Sequence, residues 1–128
     1  MPSVIKLVAK PGETAVLRSV DGRVSLGDRS VFSHDLYIDG RRAGFDGGVS
    51  TIVRADGEAV YALCNFSMHL RDGTITFQAL LEQVTPPVPF YTAITGGTGL
   101  YNNARGAMYV DPAGADEHYY RLYIETED

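Results

Sequence analysis

The side chains of this sequence best suited to chemistry are His34, Ser50, Tyr120 and Arg54. An imidazole held in an apolar cavity can hydrogen-bond a carbonyl or move a proton near neutral pH. The hydroxyls of Ser50 and Tyr120 can each orient a carbonyl or an enol through one directed hydrogen bond. Arg54 shares the register of Ser50 and suits a carboxylate or a tetronate-like oxygen anion. His34, Tyr120 and Arg54 each have a plainer alternative: a histidine satisfied by a neighbouring side chain, a core tyrosine with its hydroxyl at the rim, and a strand-end charge. The other two histidines, His69 and His118, are far from His34 and from one another in sequence. No His-x-His or Glu-x-x-His spacing occurs, which argues against a metal site. No Ser-His-Asp order can be defended either. Cys64 lies among apolar residues and reads as a small core side chain. Gly97-x-Gly99 lacks the lysine and the following helix of a phosphate loop, so it reads as a tight hairpin.

Strands must position these residues, because no segment repeats a 3.6-residue apolar pattern over three turns. Strand-like runs cover Val4–Ala9, Thr14–Val20, Ser30–Ile38, Gly47–Arg54, Glu58–Leu70, Thr74–Gln83, Tyr91–Thr95, Arg105–Val110 and Glu117–Glu125. Pro11-Gly12 closes the first run. Four Asp-Gly pairs, at Asp21, Asp39, Asp56 and Asp72, stand between apolar runs and suit the positive-φ positions of hairpin turns. Hairpins in series predict an all-β, antiparallel up-and-down meander of eight or nine strands, closed into a barrel so that no edge is exposed. An eight-stranded barrel is just wide enough for one small ligand or a filling of side chains. A sandwich would need long crossovers, and only Arg23–Arg29 and Val84–Phe90 could supply them. Pro86-Pro87-Val88-Pro89-Phe90 reads as a stiff connection. It and Asp39–Asp46 are candidate caps over one mouth.

Alternation divides the strands into faces. Val60, Ala62, Cys64, Phe66, Met68 and Leu70 form one wholly apolar set. Tyr61, Leu63, Leu80 and Tyr123 make other faces partly apolar too, and suggest an outer patch shared with another subunit. The chain has 128 residues, which fits one domain over 1–128. Its net charge of −5 is spread along the chain with no Lys/Arg run, which argues against nucleic acid or an anionic membrane surface as partner. No apolar run approaches the ~20 residues of a membrane span. A single cysteine and no visible secretory signal make the cytoplasm the expected location.

The stretch Ile94-Thr95-Gly96-Gly97-Thr98-Gly99-Leu100-Tyr101-Asn102-Asn103-Ala104-Arg105-Gly106 resembles the glycine-rich hairpin shared by allene oxide cyclases and dirigent proteins. Gly27-Asp28-Arg29-Ser30-Val31-Phe32-Ser33-His34-Asp35-Leu36-Tyr37 is similar to a second cyclase segment, and Gly44–Arg54 to the strand that follows it. Order and spacing agree across all three. The resemblance runs from about Gly27 to Ile124 and implies an eight-stranded allene oxide cyclase-like barrel, an apolar cavity and a homodimer or homotrimer. It also implies kinship with bacterial cyclases that close spirotetronate-type polyketides by four-plus-two cycloaddition. His34, Ser50 and Leu81 stand where the cyclase pattern has Asn, Cys and Tyr, which argues against the plant cyclase reaction itself. By the same analogy His34 points inward with Phe32 and Leu36.

These readings lead to a cofactor-independent cyclase or isomerase for an apolar, conjugated, polyketide- or lipid-like small molecule. Folding such a substrate towards its reacting shape can supply several of the ~7–11 kcal/mol that preorganisation offers. His34, Ser50, Tyr120 or Arg54 would polarise a carbonyl. Phe32, Leu36, Ile52, Phe66, Phe77 and Leu81 would line the cavity. The alternatives are a non-catalytic binder of a hydrophobic small molecule and a dirigent-like protein that controls stereochemistry.

Overall fold

The structure, a computed structural model, describes residues 3–19, 22–114 and 116–126. Eight strands follow one another: β1 Ser3–Leu17, β2 Arg29–Ile38, β3 Arg41–Ala55, β4 Val60–Leu70, β5 Gly73–Glu82, β6 Phe90–Gly97, β7 Arg105–Asp111 and β8 His118–Glu125. Each pairs antiparallel with the next, and β8 pairs back onto β1 to close an up-and-down barrel. Closure satisfies every edge with backbone hydrogen bonds, which an open meander cannot do.

Two of the sequence-derived boundaries differ from the observed ones for identifiable reasons. The first two runs are one strand, β1, which passes through Pro11-Gly12 at a register shift between Pro11 and Thr14. A bulge tolerates proline because the extra residue owes the ladder no hydrogen bond. The segment Asp39–Asp46 is not a cap. Asp39 (φ 50°) and Gly40 (φ 78°) make a two-residue turn of the primed type, and β3 begins at once with Arg41. Of the Asp21-Gly22 turn, Asp21 lies outside the described residues.

One half of the barrel interior is solid. Leu7, Ala9, Leu36, Met68, Leu70, Ile75, Met108, Leu122 and Ile124 form a single buried cluster there. A 3-10 turn at Gly99–Tyr101 packs Tyr101 and Ala104 against that end. Here the glycine-rich hairpin comes close to its neighbours: a Cβ on Gly97 would lie 2.4 Å from the Tyr101 carbonyl oxygen. The other half is looser, with Ser30, Phe32, Ser50, Ile52, Cys64, Phe66 and Leu81 all only partly buried. On the outside, Leu80 and Tyr123 are exposed, and Tyr61 and Leu63 half-buried. Among the described residues no helix is long and apolar enough to cross a membrane.

Candidate active site

Where the packed half meets the open half, a carboxylate is completely buried. Asp46 lies on β3, opposite His34 on β2, and has no exposed surface. Its Oδ1 accepts hydrogen bonds from the His34 backbone N–H and from the His34 ring nitrogen Nδ1, both at 2.8 Å. Its Oδ2 accepts the Tyr120 hydroxyl at 3.2 Å, from β8 on the far side of β1. Burying a charge is costly unless it is paired and hydrogen-bonded, and here three donors converge on it. A carboxylate only accepts, so Nδ1 of His34 carries the hydrogen and Nε2 is left as the free ring nitrogen.

Local sequence explains how the carboxylate fits. The inward positions of β3 before Ser50 are Gly44, Asp46 and Gly48, so the wall beside Asp46 is bare backbone. A Cβ on Gly48 would sit 2.3 Å from Phe66 Cβ and 2.9 Å from Phe32 Cζ, so glycine lets those rings cross the strand. The rings form a continuous run. Phe77 stacks on Phe66 with centroids 4.6 Å apart, and Phe66 lies 6.2 Å from Phe32. Phe32 is 5.7 Å from His34, and His34 is 5.4 Å from His118.

The Tyr120 hydroxyl is therefore not at the rim. Burial first, then the charge and hydrogen bond of Asp46, push its pKa far up, so it stays a donor. Burial and the neighbouring His34 lower the pKa of His118, against the opposing pull of Asp46. Burial raises the Cys64 thiol, against a Ser50 hydroxyl that lowers it.

Of the sequence-derived candidates, the structure brings His34 and Tyr120 together on Asp46. Ser50 lies higher, opposite Ser30 and Cys64. With Arg18, Ser30, Ile52 and Val60 it lines a pocket of about 330 Å³ at the open mouth. Arg54 is not in the interior. A register shift between Ile52 and Arg54 moves it off the Ser50 face to a position opposite Tyr61, with its side chain 66% exposed and paired with Asp56. One extra residue in a strand flips everything beyond it to the other face. Among the proposed lining residues, Phe32 lies beside His34 and Phe66 beside Phe32, whereas Phe77, 2% exposed behind Phe66, belongs to the buried core rather than to a cavity wall. Leu36 is fully buried in the packed half and forms part of its core. Ile52 is at the mouth, and Leu81 borders a separate surface pocket with Pro87 and Phe90. A larger depression of about 460 Å³, lined by Lys6, Tyr37 and Arg121 among others, lies on the outer surface.

Sequence reasoning missed Asp46 and gave His118 no role. The signal for Asp46 was its even-numbered register with Gly48 and Ser50, which a strand start at Gly47 cut off by one residue. Among the described residues no group of three or more His, Cys, Asp or Glu could hold a metal ion.

A closed eight-stranded antiparallel barrel, with a buried Asp–His–Tyr cluster under an aromatic run, defines the class. The family model described as "Allene oxide cyclase barrel like domain" matches residues 8–124, and the chain belongs to that family. Solved structures agree. A pyocyanin demethylase is 28% identical, with 96% of this chain and 100% of that one covered and a TM-score of 0.87. AbnU, an exo-specific intermolecular Diels-Alderase, is 16% identical, with 97% and 98% covered and a TM-score of 0.79. The pterocarpan synthase dirigent protein PsPTS1 is 15% identical, with 100% and 97% covered and a TM-score of 0.77. No curated protein sequence matches the chain.

Proposed function

We propose that this protein is a cofactor-independent isomerase or cyclase for a flat, conjugated, largely apolar small molecule. The observation that carries the reading is the buried Asp46 carboxylate bonded to His34. A carboxylate that holds one ring nitrogen orients the imidazole and stabilises the imidazolium formed when the other nitrogen takes a proton. The substrate would enter by the mouth at Ser30, Ser50 and Ile52, lie along Phe32 and Phe66, and present a proton to His34 Nε2. Such a site needs no bound group, since a conjugated substrate delocalises the charge itself.

The likeness to a pyocyanin demethylase, over nearly the whole of both chains, favours a second reading: demethylation of a conjugated heterocycle, in which the base takes a methyl proton, the ring itself takes up two electrons, and water adds to the methyl carbon so that it leaves as formaldehyde. Both readings use the same base. The test is to incubate purified protein separately with a conjugated polyene ketone and with pyocyanin, following products by mass. A product of unchanged mass supports the first reading; loss of the methyl group supports the second. Asp46→Asn and His34→Gln should abolish either. Binding without conversion in both arms would replace both readings with that of a carrier.

A further inference from the structure

We propose that His118 is a second catalytic residue, a neutral hydrogen-bond donor to the substrate oxygen on which charge develops while His34 takes the proton. This rests on the function proposed above and narrows it: the substrates are enolisable or tautomerisable conjugated carbonyl compounds. The two imidazoles come from strands on either side of β1. There Ala9 is paired with His118 and Pro11 with His34, so small residues line the wall beneath the rings. The rings are 5.4 Å apart, close enough for the α-carbon and the oxygen of one carbonyl compound to meet one imidazole each.

The cluster's side-chain hydrogen bonds join His34, Asp46 and Tyr120 and, among the described residues, leave the His118 ring out. His34 thus has one committed nitrogen, and His118 is available to a ligand. Facing His118 are His34 from β2, Asp46 from β3 and Tyr120 on its own strand, with apolar Ala9 opposite on β1. The ion pair Lys10–Glu117 lies nearby on the surface, both side chains exposed. Burial and His34 keep His118 neutral at neutral pH. A neutral imidazole can still donate a hydrogen bond, and does not oppose formation of the His34 imidazolium.

The step balances within the site. The C–H proton passes to His34 Nε2, and the C–H electron pair becomes the enolate C=C bond. The carbonyl π pair moves to oxygen, which accepts the hydrogen bond from His118. The imidazolium then returns a proton to the same carbon or to a vinylogous one, so no atom is gained or lost.

The probe is β-tetralone, a flat aromatic ketone with an acidic benzylic C–H. Its deuterium uptake in heavy water is read by proton NMR, with binding measured separately. Wild type should exceed buffer. His118→Leu should slow uptake on the order of 100-fold, as expected for losing one polarising group, with affinity held within about threefold. His118→Gln, which restores an N–H donor, should recover much of the loss. Undiminished uptake in His118→Leu, or Gln no better than Leu, overturns the inference alone. Binding with no uptake above buffer removes the inference together with the base role proposed for His34. Failure of β-tetralone to bind removes the inference and the proposed function together.

Discussion

Replacing Asp46 in two ways should separate its role in chemistry from its role in folding. Asp46→Asn keeps the shape: the amide oxygen can still accept both His34 bonds, and the amide N–H₂ can donate to the Tyr120 oxygen. Exchanging three charge-assisted bonds for neutral ones costs about 1 kcal/mol each, about 3 in all. Relief from burying a carboxylate returns several kcal/mol. The net change should therefore lie within about 2 kcal/mol of wild type, on the stabilising side if anything. Asp46→Ala instead strands the His34 N–H, the His34 ring N–H and the Tyr120 hydroxyl. Each buried donor left unpaired costs about 1–3 kcal/mol, and the His34 ring can turn partly towards water, so about 3–5 kcal/mol is expected. Urea unfolding followed by circular dichroism gives both midpoints, and equal slopes would show the denatured state unchanged. Both variants should lose turnover, by about 10²–10⁴-fold, because neither stabilises a protonated His34 as the carboxylate does. If Asp46→Ala matches wild type in stability, or Asp46→Asn falls as far as Ala, the three-donor arrangement is wrong.

Three further outcomes follow from the geometry. Asp28 accepts the backbone N–H groups of Ser19 and Ser25 at 2.7 and 2.8 Å, which holds its pKa below the usual carboxylate value. Its folded pKa being depressed, its stabilisation is complete above the unfolded value of about 3.9 and is lost as pH falls through the folded one. Amide exchange at Ser19 and Ser25 should accelerate in acid below about pH 4 relative to β4 amides, and Asp28→Asn should show the same loosening at pH 7. Gly48→Ala should destabilise by about 2–3 kcal/mol in urea, since its Cβ would meet Phe66 Cβ at 2.3 Å and the Asn65 carbonyl oxygen at 2.6 Å. Arg54→Ala, on the outer wall, should leave turnover unchanged and stability within about 0.5 kcal/mol; a large loss of turnover would return it to the site.

Much of the barrel was legible because its signals are local. Asp39-Gly40 and Asp56-Gly57 lie between consecutive strands, Asp72-Gly73 leads out of a turn with Gly73 already the first residue of β5, and each glycine has a positive φ. Alternation in β4 and β5 correctly separated Phe66 and Phe77 from the outward Asn65 and Gln78. The failures occur where alternation breaks. The bulge after Pro11 made one strand look like two, and the shift beyond Ile52 turned Arg54 outwards, because period-2 counting assumes an unbroken ladder. Asp46 was hidden for a different reason: a charged residue beside Gly47 and Gly48 has the composition of a turn. Only the three-dimensional partners, from β2 and β8, make it interior. His118 was equally unreadable, since its nearness to His34 depends on barrel closure bringing β8 against β1.

The division of the interior into a solid half and an open half also suggests where specificity and chemistry separate. Asp46, His34 and Tyr120 are backed by Leu36, Met68 and Leu122, which are fully buried. A close-packed floor of this kind holds catalytic groups with little freedom. The mouth is lined by Ser30, Ser50, Ile52 and Val60, which meet substrate space without supporting the cluster. Changes there should alter which molecules fit while leaving the proton-transfer geometry intact. Enlarging it with Ile52→Ala should widen the range of ketones bound. The residual rate on a small probe such as β-tetralone should stay near wild type. A collapse of that rate would mean that the mouth and the floor act as one unit.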